Sequence, residues 1–91
     1  MRFDSMEDVM EANDAAGRHW FEESTIRFFK SQIETDLIDG RFFVSSECGP
    51  SGERRFTVRE AMEDGRIDTV GKFQEFLFLG SARYEIELIL E

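Results

Sequence analysis

The sequence predicts an α+β domain in which an antiparallel sheet of three to four short strands is packed by N-terminal, middle and C-terminal helices. Three observations predict this fold class. The first segment has helical capping and periodicity, the middle has turn signals between aromatic and β-branched runs, and the tail has a helical face after a Gly-Ser break. The length of 91 residues fits one domain, residues 1–91, and ten phenylalanines supply its core.

The N-terminal helix is predicted within "DSMEDVMEANDAAG". Ser5 can cap it, Asp8 stands at the spacing of a capping box, and Gly17 can end it. Apolar residues recur at helical spacing, so a narrow apolar stripe should lie against the sheet while the acidic residues face outward. The predicted stripe consists of Met6, Val9, Met10 and Ala16.

The middle helix is predicted within "EESTIRFFKSQI", in the region of Ser24. Ile26, Phe29 and Ile33 follow the i, i+3, i+7 spacing of a buried helical face. Phe28 falls off that stripe, so it either widens the apolar face or contacts something outside the domain.

The central part of the chain predicts antiparallel strands joined by tight turns. Asp39-Gly40 is the signal of a hairpin between the strands "ETDLI" and "RFFVSSE". "CGPSG" predicts a loop, and "EDG" at residues 63–65 predicts the next turn. The strand "ERRFTVREAM" alternates, which places Phe56 and Val58 on an apolar face opposite a polar one, and "RIDTV" is the returning strand.

The tail "GSARYEIELILE" fits two kinds of secondary structure. Its alternation of apolar and acidic residues is typical of a strand, but the Gly-Ser pair supplies a break and a cap that favour a C-terminal helix. Four of its apolar residues share one helical face: Ala82, Ile86, Ile89 and Leu90.

Charge and composition argue against several classes of function. Twenty acidic and eleven basic residues give a formal net charge of -9, so the field of the protein repels phosphate and direct nucleic-acid binding is not expected. A single cysteine, Cys48, excludes an internal disulfide and a zinc site built on cysteines, and a single histidine, His19, excludes a metal site with two histidines. We therefore expect neither enzymatic activity nor a cofactor or metal.

The hydropathy of the chain bears on its location. The N-terminus lacks the basic start and apolar run of a signal peptide, and no stretch approaches the roughly 18 apolar residues of a membrane span. The sequence therefore predicts a cytoplasmic protein that does not associate with a membrane.

The acidic first segment is the leading candidate for a binding surface, because complementary charge speeds encounter and selects partners. The partner expected for such a surface is another protein, for example a complex with a basic nucleic-acid channel. The stretch "HWFEESTIRFFKS" adds aromatic and basic contacts to this hypothesis. The candidate partner-binding residues are Glu7, Asp8, Glu11, Asp14, Trp20, Arg27 and Phe28.

A second candidate surface is an Arg/Phe face of the sheet. Arg55 and Arg59 share a strand face, and with Phe42 or Phe43 they could hold phosphate and stack on bases. The simpler interpretation is that the arginines neutralise nearby carboxylates. Those carboxylates are Glu53, Glu60 and Glu63.

The succession "ANDAAGRHWFEESTIRFFKSQI", "GRFFVSSE", "RRFTVRE" and "GRIDTVGKFQEF" spans most of the chain and resembles a family of small uncharacterised proteins of bacterial phages, plasmids and mobile elements. In that family the runs corresponding to residues 24–29, 46–47, 55–59 and 65–74 recur in this order. The resemblance implies a compact domain with a helix at each end and a central sheet. It implies no activity and no catalytic residue.

Taken together, these features predict a non-enzymatic, protein-binding accessory protein of a phage or mobile element. The expected partner is then a host or phage protein, and one concrete version is an inhibitor of a bacterial defence complex that acts through its acidic surface. The alternative hypothesis is a nucleic-acid-binding accessory protein that uses the Arg/Phe sheet face.

Overall fold

A computed structural model of the chain describes residues 3–17, 32–49 and 51–91. Within these residues the fold is α+β, with the predicted N-terminal and C-terminal helices and an antiparallel sheet of strand order β1-β2-β3-β4. Most of the middle helix predicted near Ser24 lies outside the described residues. Its last two residues are described and contradict the prediction, because Gln32 and Ile33 form a short strand that pairs with residues 45–46, and Ile33 is 37% exposed and not on a buried helical face. The elements are α1 (Met6–Ala15), β1 (Gln32–Ile33), β2 (Phe42–Cys48), β3 (Arg54–Ala61), β4 (Ile67–Val70) and α2 (Leu79–Leu90).

Helix α1 begins and ends as its sequence predicts. Ser5 is the N-cap, and its hydroxyl accepts a hydrogen bond from the backbone N–H of Asp8 at 3.3 Å. After the helix, Gly17 has a φ of 71° and donates its N–H to the carbonyl of Asp14 at 2.9 Å. Local capping chemistry therefore sets both ends of this helix.

The buried side of α1 differs from the predicted apolar stripe. Val9 and Asn13 are its buried residues, whereas Met10 and Ala16 are exposed. Asn13 is buried because it reaches the turn between β3 and β4, where its Nδ2 donates to the carbonyl of Gly65 at 2.8 Å. This polar contact takes a place on the buried side of α1 that the apolar periodicity does not predict.

Both predicted hairpin turns are confirmed, but the strand predicted at residues 34–38 is not, because only Ile38 forms a β-bridge there, with Phe42. Asp39 and Gly40 have φ values of 56° and 67°, the positive values that a type I′ turn requires at both central positions. The turn at residues 63–65 joins β3 to β4, where the N–H of Met62 bonds to the carbonyl of Arg66 at 2.8 Å. These turns set the order of the strands.

The apolar face of the sheet packs under α2, which confirms both the alternation predicted for β3 and the helix predicted for the tail. The helix begins at Leu79 after the N-cap Phe78, so the Gly-Ser pair lies inside its first turn. The sequence pattern predicts Ile89 and Leu90 on the buried face, but in the structure they are 40% and 39% exposed near the end of the helix. The core cluster consists of Phe42, Val44, Val58, Ala82 and Ile86.

Candidate functional site

The sheet face that points away from α2 is polar and nevertheless buried. The register of β2 and β3 pairs Phe43 with Arg59 and Ser45 with Thr57, so these side chains share one face. Glu47, two residues after Ser45, points to the same side and is fully buried. Because buried charges and hydroxyls are costly unless they are paired, their hydrogen bonds decide what this face can do.

Glu47 lies at the centre of a hydrogen-bonded network on this face. Its Oε1 accepts a bond from the Thr57 hydroxyl at 2.8 Å, and its Oε2 accepts one from the Ser45 hydroxyl at 2.7 Å. The guanidinium of Arg59 approaches with Nη2 at 3.6 Å from Oε2, donates from Nε to the Ser45 hydroxyl at 3.0 Å and donates from Nη1 to Thr69 Oγ1 at 2.6 Å. The network therefore links three strands through side chains.

Arg59 is the only buried cation among the described residues. Burial lowers the pKa of Arg59 below its ordinary value, because a desolvated charge is disfavoured, and the neighbouring Glu47 carboxylate opposes that shift. The two charges offset one another inside the fold. This pairing explains how a sheet face with a full positive charge can be covered.

A five-residue bulge covers part of the polar face. Strand β3 pairs with β4 as far as Val58 and Val70, and then its Phe56 pairs with Phe76, whose N–H and carbonyl bond to Phe56 at 3.1 and 2.8 Å. Residues 71–75 therefore loop out of the ladder. After this bulge, Phe76 takes the position beside β3 that a longer β4 would occupy.

The bulge is held to the Glu47 network by one backbone group and one ring. The N–H of Gln74, a residue with a φ of 59°, donates to Thr57 Oγ1 at 2.8 Å. The ring of Phe73 has its centroid 5.4 Å from the Arg59 guanidinium carbon, a cation–π distance. The Thr57 hydroxyl thus donates to Glu47 and accepts from the bulge.

The chemistry of the polar face is that of a structural network. Ser45 has no measurable exposure, and both carboxylate oxygens of Glu47 already accept hydrogen bonds. Among residues 3–17, 32–49 and 51–91 no group of three or more His, Cys, Asp or Glu side chains is arranged to hold a metal ion. Cys48 is exposed, and its Sγ lies 3.7 Å from the Gly49 carbonyl.

The residues of the predicted Arg/Phe face do not form one accessible surface. Phe42 and Phe43 point to opposite sides of the sheet, as adjacent strand residues must, and they are 1% and 0% exposed. Arg59 is 7% exposed and bonded within the Glu47 network. The two rings and Arg59 are therefore closed to a base or a phosphate in this structure.

The neutralisation predicted for the arginines is partly correct. Arg55 Nε bonds to Glu53 Oε1 at 3.0 Å, as expected. A backbone hydrogen bond at Glu53 and then this contact lower the pKa of the Glu53 carboxyl. The carboxylate beside Arg59 is Glu47, which the sequence reasoning missed because it lies on another strand. Glu60, a predicted partner, instead binds Arg41 at 2.7 Å.

The acidic residues of α1 form an exposed stripe. Glu7, Glu11 and Asp14 follow one another at i, i+4 and i+7, on the side of the helix opposite Val9 and Asn13. Asp8 is exposed beside this stripe, and the sequence of α1 contains no basic residue. Trp20, Arg27 and Phe28, the other predicted partner contacts, lie outside the described residues.

Exposed apolar side chains are concentrated in the C-terminal part of the molecule, a feature that the sequence reasoning missed. Of the nine large apolar side chains that are exposed in the described residues, seven lie between residues 73 and 90. The sequence of α2 contains a signal for this feature, because it has more apolar residues than one buried helical face can hold. The seven are Phe73, Leu77, Phe78, Tyr84, Leu88, Ile89 and Leu90.

Comparison with known proteins gives a family match that spans the architecture. The model of a family of unknown function, DUF7447, matches residues 5–87, from the N-cap of α1 into α2. The chain belongs to this family. No curated protein and no solved structure matches it significantly. The DUF7447 match therefore establishes the extent of the family domain and assigns no activity.

No helix within residues 3–17, 32–49 and 51–91 has the length and hydropathy that crossing a bilayer requires.

Proposed function

We propose that this protein is a non-enzymatic, protein-binding accessory protein that contacts its partner through the acidic stripe of α1. The observation that carries the proposal is the exposure of Glu7, Glu11 and Asp14 along one line of α1, opposite its buried side. Three carboxylates at this spacing extend over about two helical turns, or roughly 10 Å. A basic surface on a partner would meet them together.

Occlusion is the mechanism that this charge distribution supports best. The chain carries a formal charge of -9, so its field attracts a basic surface at long range and steers the encounter. A basic nucleic-acid channel of another protein is such a surface, and the stripe of α1 would compete there with phosphates. The contact falls off with added salt, because exposed charges are screened over roughly 8 Å at physiological ionic strength.

The setting proposed for this mechanism is a phage, plasmid or other mobile element of bacteria, with the protein acting in the cytoplasm. The family resemblance of the sequence supports this setting. An inhibitor of a bacterial defence complex is the most concrete form of the proposal, because such complexes hold nucleic acid in basic channels that an acidic helix can occupy.

The test compares two variants that each remove two exposed carboxylates. Glu7→Gln with Glu11→Gln changes the stripe, whereas Asp36→Asn with Glu75→Gln removes the same charge elsewhere. Proteins retained from a bacterial lysate by the wild type would be purified, and their binding to each variant measured by calorimetry at two salt concentrations. Glutamine keeps a good helix propensity, so α1 should remain folded.

We expect the stripe variant to lose roughly tenfold or more in affinity, since close charge pairs at interfaces couple by about 1.5 kcal/mol or more. The control variant should change affinity by much less, and the loss should shrink at high salt. Equal losses in the two variants would show that net charge, and not the stripe, governs binding. Unchanged affinity in the stripe variant would refute the mechanism.

A further inference from the structure

Helix α2 is apolar on two opposite sides. Ala82 and Ile86 are fully buried against the sheet, as one side of an amphipathic helix should be. Tyr84 follows Ala82 by two residues and Leu88 follows Ile86 by two, so each lies about 200° around the helix from its buried neighbour. Tyr84 and Leu88 are 60% and 43% exposed. The side of α2 that faces away from the sheet therefore carries its own apolar pair.

Two more large apolar side chains are exposed at the start of the helix. Phe78, the N-cap of α2, is 69% exposed, and the preceding Leu77 is 52% exposed. An aromatic side chain carries roughly 150 to 250 Å² of surface, so Phe78 and Tyr84 alone leave roughly 200 to 300 Å² in water. Single exposed apolar residues are ordinary, whereas six large ones lie within residues 77–90 among charged side chains, a pattern typical of an interaction site.

The charges beside the apolar pair decide which occupant fits. Glu87 and Glu91 lie on one flank of Tyr84 and Leu88, and Glu85 lies on the other, with Arg83 the single basic residue of α2. A second copy would bring the same three carboxylates together and would add its own charge of -9.

We propose that the outer face of α2 docks a basic amphipathic helix of a protein partner. Its apolar side would cover Tyr84 and Leu88, the helix-in-groove mode of recognition, while its lysines or arginines meet Glu85 and Glu87. This surface does not depend on the acidic stripe of α1, so the proposal extends the proposed function and does not rest on it.

The test uses two synthetic helical peptides with the same leucine side, one with lysine and one with glutamate on the opposite side. Binding of each fluorescent peptide would be measured by anisotropy. Tyr84→Ser and Leu88→Ser remove the exposed anchors. Met10→Ser is the matched control, because Met10 is an exposed apolar residue of α1 with 40% exposure, close to the 43% of Leu88.

We expect the lysine peptide to bind the wild-type protein and to lose roughly tenfold in affinity with either α2 variant, as truncation of an interface anchor does. Met10→Ser and the α1 stripe variant should leave this binding unchanged, which separates the result from the proposed function. Three outcomes would overturn the proposal. They are equal binding of the glutamate peptide, loss of binding only in the α1 variant, and a protein dimer in sedimentation equilibrium that Leu88→Ser dissociates.

Discussion

Asn13 in α1 donates a hydrogen bond from Nδ2 to the backbone carbonyl of Gly65, 2.8 Å away and 52 residues later in the chain. Asn13 is 1% exposed and Gly65 is buried, so water cannot replace this bond in the folded protein. The bond anchors the N-terminal helix to the turn between β3 and β4. It thereby fixes the side of α1 that carries the acidic stripe.

Replacement of Asn13 by alanine should therefore lower the free energy of unfolding. The Gly65 carbonyl would stay buried without this donor, a loss of about 1 to 3 kcal/mol, partly offset by the better helix propensity of alanine. Urea titration followed by circular dichroism measures the change. Glu11→Ala, at an exposed position of the same helix, should change stability by about 0.5 kcal/mol or less, and an equal effect at both positions would contradict the role of the bond.

Gly65→Ala should destabilise the protein more than Gly52→Ala. The two glycines have φ values of 85° and 86°, so an added methyl group strains both backbones equally, by about 1 to 2 kcal/mol. At Gly65 the methyl would also collide with the Ala12 carbonyl oxygen and lie 2.8 Å from the Ala16 methyl, whereas nothing lies within 4 Å at Gly52.

The difference between the two variants isolates the close approach of α1 to the turn. Thermal and urea unfolding of both proteins should show Gly52→Ala as the milder change by about 1 kcal/mol or more. Equal destabilisation would mean that α1 moves away from the turn without cost, and that the contact between them is loose.

Glu47→Gln should destabilise the protein strongly, because it removes the carboxylate that offsets the buried charge of Arg59. Breaking one side of a buried pair costs roughly 3 to 5 kcal/mol, and burial already lowers the pKa of Arg59. The double variant Glu47→Gln with Arg59→Met removes both charges and should lose less than the sum of the single losses. Strictly additive losses in a urea-based double-mutant cycle would show that the two side chains do not interact.

The ion pair of Glu53 and Arg55 should make stability depend on pH in the acid range. A backbone hydrogen bond at Glu53 and the Arg55 guanidinium lower the pKa of the Glu53 carboxyl below its ordinary value of 4.5. A lowered folded-state pKa stabilises the fold above the unfolded value, and this contribution is lost as the pH falls through the folded pKa. Glu53→Gln should thus be less stable than the wild type near neutral pH.

The stability difference between the wild type and Glu53→Gln should shrink as the pH falls below about 4.5. Chemical unfolding at a series of pH values measures this trend, with the exposed Glu75→Gln as a charge-matched control. A difference that stays constant down to the acid limit would assign the effect of the substitution to packing.

Oligonucleotides should not bind to the Arg/Phe sheet face. Phe42 and Phe43 are fully buried, and the net charge of -9 repels phosphates. Fluorescence anisotropy with single-stranded and double-stranded oligonucleotides at low salt should therefore show no binding. Binding that weakens with added salt and with Arg55→Ala would restore the nucleic-acid hypothesis and would require the face to open.

Local signals account for the parts of the fold that could be predicted. The Ser5 cap, the positive φ values at Asp39 and Gly40, and the turn at residues 63–65 follow from interactions within a few residues. The alternation in β3 likewise follows from strand geometry. These features need no knowledge of what packs against them.

Features that depend on residues far away in the chain could not be predicted from the sequence. Asn13 is buried because a turn 52 residues away offers it a carbonyl, and periodicity alone cannot place a polar residue on the buried side. Glu47 faces Arg59 because β2 and β3 share a particular register, and a shift of one residue would send the two side chains to opposite faces.

The sequence by itself determined the fold class, the ends of α1, the two hairpin turns and the acidic excess, because each depends on composition or on neighbouring residues. Only the tertiary structure decided which surfaces are open. It buried the Arg/Phe face within the Glu47 network, and it left Tyr84 and Leu88 exposed on the outer side of α2. Exposure is a property of the whole packed chain, since a side chain is covered only by residues that folding brings to it.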